Sequence, residues 1–170
     1  NIKKNLNDLG LKLNNYECKK VTERIIELGD RKEKVTAEDL PYIISDVLSS
    51  SKTEKKVKIK SYKLEHTKGT NPTARLEIQI KGKLFEEFAT GDGQFNAFMN
   101  AIKKIYNYHK LELPNLVDYS VTIPPGSNSD SLCETFITWK NKTKEFVTRG
   151  LDSDQTTSAI KATEKMLNII

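Results

Sequence analysis

The spacing of apolar positions along the chain changes once, near residue 56. Before that point apolar residues recur every three or four positions, as in "NIKKNLNDLG", "LNNYECKKVTERIIELGD" and "TAEDLPYIISDVLSS". This is the period of an amphipathic helix. The second pattern ends at Gly29, and the third opens with Thr36 three residues ahead of Asp39, as in a capping box. We therefore predict a small helical linker subdomain over residues 1–51.

Beyond residue 56 apolar and polar positions alternate. The segments "VKIKSYKLEH", "TARLEIQIKGK" and "LFEEFATG" predict three strands, and the spacing over residues 94–110 predicts a helix. The order is then repeated by "LVDYSVTIPPG", "SLCETFITWKN", "KTKEFVTRG" and the helical pattern of "SDQTTSAIKATEKMLNII". The predicted fold class is α+β, with two βββα units over about residues 56–110 and 115–170 that form one domain, residues 52–170.

The two units superpose in sequence with a shift of about 58 residues, which places Gly91 against Gly150 with a slip of one residue. A three-stranded sheet with one helix buries a single face, so we expect the copies to pack about a pseudo-twofold axis. Both helix beginnings then face a common crevice, where free N–H groups and the helix dipole favour a carboxylate. Asp92 and Asp152 lie at the matching turns and are expected to receive an ammonium group.

Composition and charge fit one domain with a small appendage. The chain has 170 residues and a net charge of +5, and that length is enough to bury a core. Seven lysines lie in "SKTEKKVKIKSYKLEHTKG", a pattern typical of a solvated edge strand or, alternatively, of a nucleic-acid surface. No apolar run approaches the ~18 residues of a membrane span, and no signal-peptide pattern opens the chain.

The sequence offers little for catalysis. His66 and His109 each end a predicted element, and the turn Gly91-Asp92-Gly93-Gln94 lacks the Lys-Ser/Thr of a phosphate-binding P-loop. Cys18 and Cys133 have no metal-like spacing, and we predict that they are free thiols in the reducing cytoplasm. No cofactor is predicted for this part of the protein.

Four segments carry a family resemblance: "IKKNLNDLGLKL", "GDGQFNA", "LVDYSVTI" and "GLDSDQTTSAIKA". In this order they resemble motifs of the 2-isopropylmalate synthase and citramalate synthase family. The resemblance implies the regulatory, dimerising domain and helical linker of an enzyme whose TIM barrel condenses acetyl-CoA with a 2-oxo acid, using a divalent metal. Because the chain also begins without Met, we expect a fragment that lacks the barrel and its metal ligands and has no turnover of its own.

The resemblance also implies an effector and a site for it. The expected effector is isoleucine, inhibiting a citramalate synthase, with leucine and 2-isopropylmalate synthase as the alternative. Other expected partners are a second copy of the chain and the barrel of the same chain, but no nucleic acid or membrane. Backbone N–H groups near Gly93 would take the carboxylate. The implied site comprises Gly91, Asp92, Gly93, Phe95, Asn96, Leu116, Tyr119, Ile123, Cys133, Leu151 and Asp152.

Two rival functions use the same element order. A double-stranded-RNA-binding domain also has a helix, three strands and a helix, but it needs basic residues at the start of its second helix. Here the first lysine after Gly91 is Lys103, which disfavours that function. The other rival is a dimerisation module without an effector.

Overall fold

A computed structural model describes residues 13–31, 35, 39–49, 55–124 and 131–170. Its elements, in chain order, are α1 (Asn15–Arg31), α2 (Leu40–Ser49), β1 (Val57–Glu65), β2 (Thr73–Ile80), β3 (Lys83–Thr90), α3 (Gln94–Tyr108), β4 (Asn115–Thr122), β5 (Cys133–Lys140), β6 (Glu145–Asp152) and α4 (Gln155–Ile169). The predicted α+β fold with two βββα units after a helical part is confirmed. The predicted first helix and the cap at Thr36 lie outside the described residues.

Helix α1 begins with a reciprocal cap and runs further than predicted. The backbone N–H of Glu17 donates to Asn14 Oδ1 at 2.8 Å, and the N–H of Asn14 donates to Glu17 Oε2 at 2.9 Å, which is a capping-box arrangement. The predicted end at Gly29 is wrong, because the helix continues to Arg31. A glycine inside a helix costs about 1 kcal/mol, and burial of Val21 and Leu28 on the inner face of α1 offsets that cost.

Each unit contains an antiparallel three-stranded meander, with strand orders β1-β2-β3 and β4-β5-β6. A register shift interrupts the first strand of each sheet, between Ile59 and Ser61 in β1 and between Leu116 and Asp118 in β4. The β2–β3 turn is the tight pair Lys81-Gly82, both with positive φ, as a two-residue hairpin requires. The two units therefore share their topology and an irregularity in the first strand.

The strand registers correct the predicted alignment of the repeat. Strand β3 ends at Thr90 and strand β6 ends at Asp152, so Thr90 and Asp152 are equivalent positions in the two units. The predicted shift of 58 residues instead pairs Thr90 with Thr148. Gly150 lies inside β6, whereas Gly91 follows β3, so their predicted equivalence is wrong. The hairpin turns differ in length between the units, and therefore no single shift superposes all the elements.

The two units share one hydrophobic core and exchange contacts. Tyr62 of β1 places its hydroxyl 3.1 Å from Thr157 Oγ1 in α4, and the ring of Tyr119 in β4 lies 5.7 Å from that of Phe95 in α3. Each first strand thus reaches the opening turn of the other unit's helix, as a pseudo-twofold axis requires. The largest fully buried side chains of the shared core are Leu76, Ile78, Phe98, Ile102, Ile137, Trp139, Met166 and Leu167.

The helical linker packs on the second unit through a smaller core. A buried cluster joins Val21 and Leu28 of α1 and Ile43 of α2 to two leucines of the second unit. These are Leu132, which immediately precedes β5, and Leu151, which lies in β6. Among the described residues, this cluster includes none from the first unit. The linker is therefore attached asymmetrically to a nearly symmetric domain.

In the described part of the chain, none of the helices combines the length and the apolar character needed to cross a membrane.

Candidate functional site

The turn between β3 and α3 is held close to the helix that follows it. The N–H of Gly91 donates to Pro72 O at 3.0 Å, and the N–H of Asp92 donates to Asn96 Oδ1 at 3.0 Å. A Cβ on Gly91 would lie 2.5 Å from Asn96 Oδ1 and 2.8 Å from Ala97 Cα. Glycine is therefore required at position 91 by close packing against the first turn of α3.

Helix α3 begins without a side-chain cap. Its N-cap residue is Gly93, whose backbone is extended with φ −141°. A Cβ there would meet nothing within 4 Å. The first N–H groups of a helix lack partners inside the helix, and here no side chain caps them. At α4, by contrast, the N-cap carboxylate of Asp154 accepts a hydrogen bond from the N–H of Thr157 at 2.8 Å. Of these two helices, α3 is therefore the one whose first turn has no side-chain cap.

An apolar strand lies beside this helix beginning. The register shift in β4 puts Leu116 and Tyr119 on the same face of the sheet, since they lie opposite Trp139 and Ile137. Tyr119 contacts Phe95, whereas Leu116 is 42% exposed and Ile123, just past the strand, is 50% exposed. The structure thus brings Tyr119 to Phe95 in the Gly91–Asn96 turn, while Leu116 and Ile123, at the two ends of the same strand, are only half covered.

The remaining predicted site residues lie beneath the helical linker. Leu151 is packed among the linker helices. Asp152 is fully buried, accepts a hydrogen bond from Lys161 Nζ at 2.8 Å and lies 3.9 Å from Arg24 Nη2. Cys133 is opposite Asp152 in the sheet register. Two cations thus already occupy the place where an ammonium group was expected, and a role for these three residues in effector binding stays a prediction.

Sequence reasoning missed the ion pairs that surround Asp152. Lys165 Nζ donates to Asp46 Oδ1 at 2.8 Å, and Asp46 Oδ2 lies 3.6 Å from Arg24 Nε. We call Arg24, Asp46, Asp152, Lys161 and Lys165 the linker ion cluster. Burial and the neighbouring Arg24 guanidinium lower the pKa of Lys161, and the bond to Asp152 opposes that shift. The only feature of the sequence that pointed to these ion pairs was the spacing of Lys161 and Lys165, which lie one helical turn apart on α4.

The environment of Cys133 disfavours the reactive form of its thiol. Both thiols are free, and burial, together with the carboxylates of Asp154 and Asp152, raises the pKa of Cys133. A raised pKa disfavours the thiolate, which is the reactive form. Among the described residues, no group of three or more His, Cys, Asp and Glu side chains is arranged to hold a metal ion.

Together these features define a duplicated βββα domain with one uncapped helix beginning and a helical linker docked on its second unit. Comparison with known families gives this class a name. The model of the family described as the LeuA allosteric (dimerisation) domain matches residues 34–170, and the chain belongs to that family.

Curated relatives agree with this assignment. The chain is 29% identical over 168 residues to the 2-isopropylmalate synthase of Aquifex aeolicus, covering 98% of this chain and 31% of that protein. It is 30% identical over 170 residues to the 2-isopropylmalate synthase of Methylorubrum populi, covering 98% and 31%. A protein of Archaeoglobus fulgidus whose name assigns it as an (R)-citramalate synthase is 31% identical over 166 residues, covering 97% and 33%. The chain thus spans about a third of the length of these relatives, and the resemblance to the synthase family is confirmed.

Proposed function

We propose that this domain binds a free branched-chain amino acid at the beginning of α3 and thereby mediates feedback inhibition of an acetyl-CoA-dependent 2-oxo acid synthase. The observation that carries the proposal is the uncapped first turn of α3 beside the Phe95–Tyr119 contact and the half-exposed Leu116 and Ile123. The family's description as an allosteric domain supports it. Free N–H groups receive the carboxylate, and the apolar face of β4 receives the aliphatic side chain.

The identity of the amino acid rests on two different supports. The motifs of the sequence resemble citramalate synthase and favour isoleucine, whereas the names of the Aquifex aeolicus and Methylorubrum populi relatives favour leucine. Isoleucine and leucine differ in the position of one methyl group, and a hydrophobic pocket distinguishes such ligands by at most about 1–3 kcal/mol. We take isoleucine as the proposed effector and leucine as the alternative to be tested.

Calorimetric titration of the chain with isoleucine, leucine and valine tests this function. The matched variants are Gly93→Ala and Gly29→Ala, since a Cβ at either position meets nothing within 4 Å. Gly93 is the N-cap residue at the uncapped first turn of α3, so a methyl group there is expected to weaken binding about tenfold, a loss of ~1.4 kcal/mol. The Gly29 methyl lies on α1, away from that turn, and should leave affinity unchanged.

Two results would count against the proposal. Absence of saturable binding for all three amino acids would leave the effectorless dimerisation module as the better description. Equal affinities for the Gly93→Ala variant and the unaltered chain would remove the α3 beginning from the site. The Leu116→Ala variant, compared with Val147→Ala at another exposed strand position, then tests whether β4 contributes at all.

Inhibition of a distant catalytic domain requires that the effector bind two states of the whole enzyme with different affinities. We propose that the catalytic barrel, with its divalent metal and acetyl-CoA, lies in the part of the protein that the relatives have beyond this chain, and that the reaction is that of a cytoplasmic citramalate synthase or 2-isopropylmalate synthase. The linker helices are proposed to carry the coupling. Equal isoleucine affinity of the full enzyme with and without its 2-oxo acid would exclude coupling through binding.

Homodimer formation is the second part of the proposal. The family description names dimerisation, and β4 presents an exposed apolar side chain at Val117, which a second copy would cover. Sedimentation of the chain with and without the amino acid measures the association directly. A Val117→Asp variant should dissociate such a dimer, and an unchanged association constant would place the interface elsewhere.

A further inference from the structure

A crevice lies at the end of the domain where α3 and α4 finish, opposite the Gly91–Asn96 turn. It has a volume of about 970 Å³ and is lined by residues from both units, including Tyr106 near the end of α3, Leu167 near the end of α4 and the connection to β4 at Leu113. We call it the distal cleft. Its volume is within the range of small-molecule sites, and it lies far along α3 from the uncapped turn at Gly93.

The side chains at the distal cleft are strongly positive. Glu112 is the one acidic side chain in the lining, and it pairs with Lys142 at 3.4 Å. The helix ends contribute about half a negative charge each, which does not balance the remaining lysines. The five lysines that line the cleft are Lys56, Lys81, Lys103, Lys140 and Lys142.

The floor of the cleft is apolar. Val57, Ile80 and Leu167 line it and are buried in the shared core, and Tyr106 is buried beside them. A cationic rim around an apolar floor suits a ligand that combines an anionic group with a flat apolar body. An inorganic anion alone would use only the rim.

Lys81 stands at a backbone position that does not favour lysine. It has φ 47° and is followed by Gly82 with φ 81°, and the first position of such a turn favours Asn, Asp or Gly. Non-glycine residues in the left-handed region are concentrated at functional sites. Lys81 also lines an adjoining pocket of about 260 Å³ with Lys55, Lys56 and Lys58. Lys55 is paired there with Glu164 at 2.5 Å, so Lys56 and Lys58 are the lysines that extend the positive rim beside the hairpin.

We propose that the distal cleft binds a diphosphate-bearing ligand of nucleotide size. The lysines proposed to hold the diphosphate are Lys56, Lys81 and Lys103. The backbones of Lys56 and Lys81 are neighbours, since the N–H of Lys81 donates to Lys56 O at 2.8 Å, and Lys103 lines the same cleft from α3. Lysine ammonium groups are compact charges that bind phosphate oxygens. The body of the ligand covers Val57 and Leu167. This site is separate from the α3 beginning and does not depend on the proposed amino-acid effector.

Titration calorimetry with inorganic pyrophosphate and with ADP tests the proposal. ADP should bind with one-to-one stoichiometry and more tightly than pyrophosphate, because only ADP covers the apolar floor. The Lys81→Asn variant keeps a residue suited to the turn, and Lys103→Gln removes a charge from the helix. Each is expected to weaken ADP binding about tenfold.

The matched control is Lys68→Gln, in the β1–β2 loop at the opposite end of β1, which removes one charge from outside the cleft. It should change ADP affinity less than about twofold, as screening of remote surface charges requires. Thermal unfolding shows whether the Lys81→Asn variant is folded. If that variant does not fold, the Lys103→Gln variant still tests the site.

Three outcomes would overturn the proposal: no saturation at millimolar ADP, an equal loss of affinity in Lys68→Gln and Lys103→Gln, or no preference for ADP over pyrophosphate. Titration with a short RNA duplex is the fourth arm. Tighter, salt-sensitive binding of the duplex than of ADP would assign these lysines to nucleic acid instead. The Lys81→Asn and Lys103→Gln variants should bind isoleucine or leucine as tightly as the unaltered chain does. This comparison distinguishes a loss of ADP binding from a loss of the effector site.

Discussion

Asp46 of α2 accepts a hydrogen bond from Lys165 of α4 at 2.8 Å, and this pair joins the helical linker to the second βββα unit. The other carboxylate oxygen lies 3.6 Å from Arg24 Nε, a buried nitrogen that makes no hydrogen bond within the described structure. Both oxygens of one carboxylate thus face cations from two other helices. Because the group is largely removed from water, its loss leaves charges that solvent cannot fully compensate.

Replacing Asp46 with Ala should therefore destabilise the linker more than the sheets. We expect a loss of about 3 kcal/mol in the free energy of unfolding, as for other buried ion pairs broken on one side. Hydrogen exchange measured by mass spectrometry should show faster exchange in α1 and α2, with β2 and β5 still protected. The control is Asp30→Asn, which removes an exposed carboxylate from α1. Uniformly faster exchange over the whole chain would show that the linker and sheets unfold as one unit.

Glu134 gives a prediction about pH. Burial raises the pKa of this carboxyl group, the Arg149 guanidinium opposes the rise, and Asp46 adds to it. An acid whose pKa is raised by folding is harder to ionise in the folded state, so stability falls as the pH rises from 4.5 through the folded-state pKa. Glu134→Gln should consequently raise the urea midpoint at pH 7, and the advantage should disappear as the pH falls towards 4.5.

The comparison variant for this prediction is Glu145→Gln, at an exposed position where β6 begins. It should shift the urea midpoint little at either pH, as surface substitutions usually do. A lower midpoint for Glu134→Gln at pH 7 would mean that the ion pair with Arg149, at 3.7 Å, outweighs the cost of burying the carboxylate.

Gly150 should tolerate no side chain. It lies in β6 under α4, and a Cβ there would lie 2.7 Å from Ala162 N and closer still to Ser158 O. Both contacts are with backbone atoms that cannot rotate away, so Gly150→Ala is expected to cost about 3 kcal/mol through overpacking. Gly29→Ala, with open space around its Cβ, should instead stabilise α1 by about 1 kcal/mol. Urea unfolding that showed similar stabilities for the two variants would mean that α4 moves easily away from β6.

The local patterns of the sequence predicted the strands and the helices α3 and α4, whereas the end of α1 was predicted two residues too early. Alternation over residues 57–65 and 73–80 predicted strands because one face of each sheet is buried against a helix, and three-to-four spacing predicted α3 and α4. The correspondence between the two units was not predictable from a single shift. Register depends on turn length, and the Lys81-Gly82 turn is shorter than the turn between Lys140 and Glu145.

The candidate site was predictable only in part, for a related reason. The Gly91–Asn96 turn, which includes Phe95, is a local feature of the sequence. Tyr119 was included in the predicted site only through the family resemblance, and the structure brings its ring to 5.7 Å from that of Phe95. Asp152 was assigned a similar role because it follows a strand and precedes a helix, as Asp92 does. Two cations approach it instead: Lys161, nine positions away in α4, and Arg24, 128 positions away in α1. An ion pair with so distant a residue as Arg24 leaves no periodic pattern in the sequence.

Tyr106 provides a prediction at alkaline pH. Burial raises the pKa of its hydroxyl from 10.0 to about 12. The unfolded chain therefore loses this proton first, and stability falls as the pH rises from 10 towards 12 by up to about 1.4 kcal/mol per pH unit. Below pH 10 the group contributes no pH dependence. Tyr106→Phe should flatten the stability profile measured by urea unfolding in that window, whereas Tyr108→Phe, on an exposed side chain, should leave its slope unchanged. A slope between pH 10 and 12 that Tyr106→Phe leaves intact would show that the buried hydroxyl of Tyr106 does not govern alkaline unfolding.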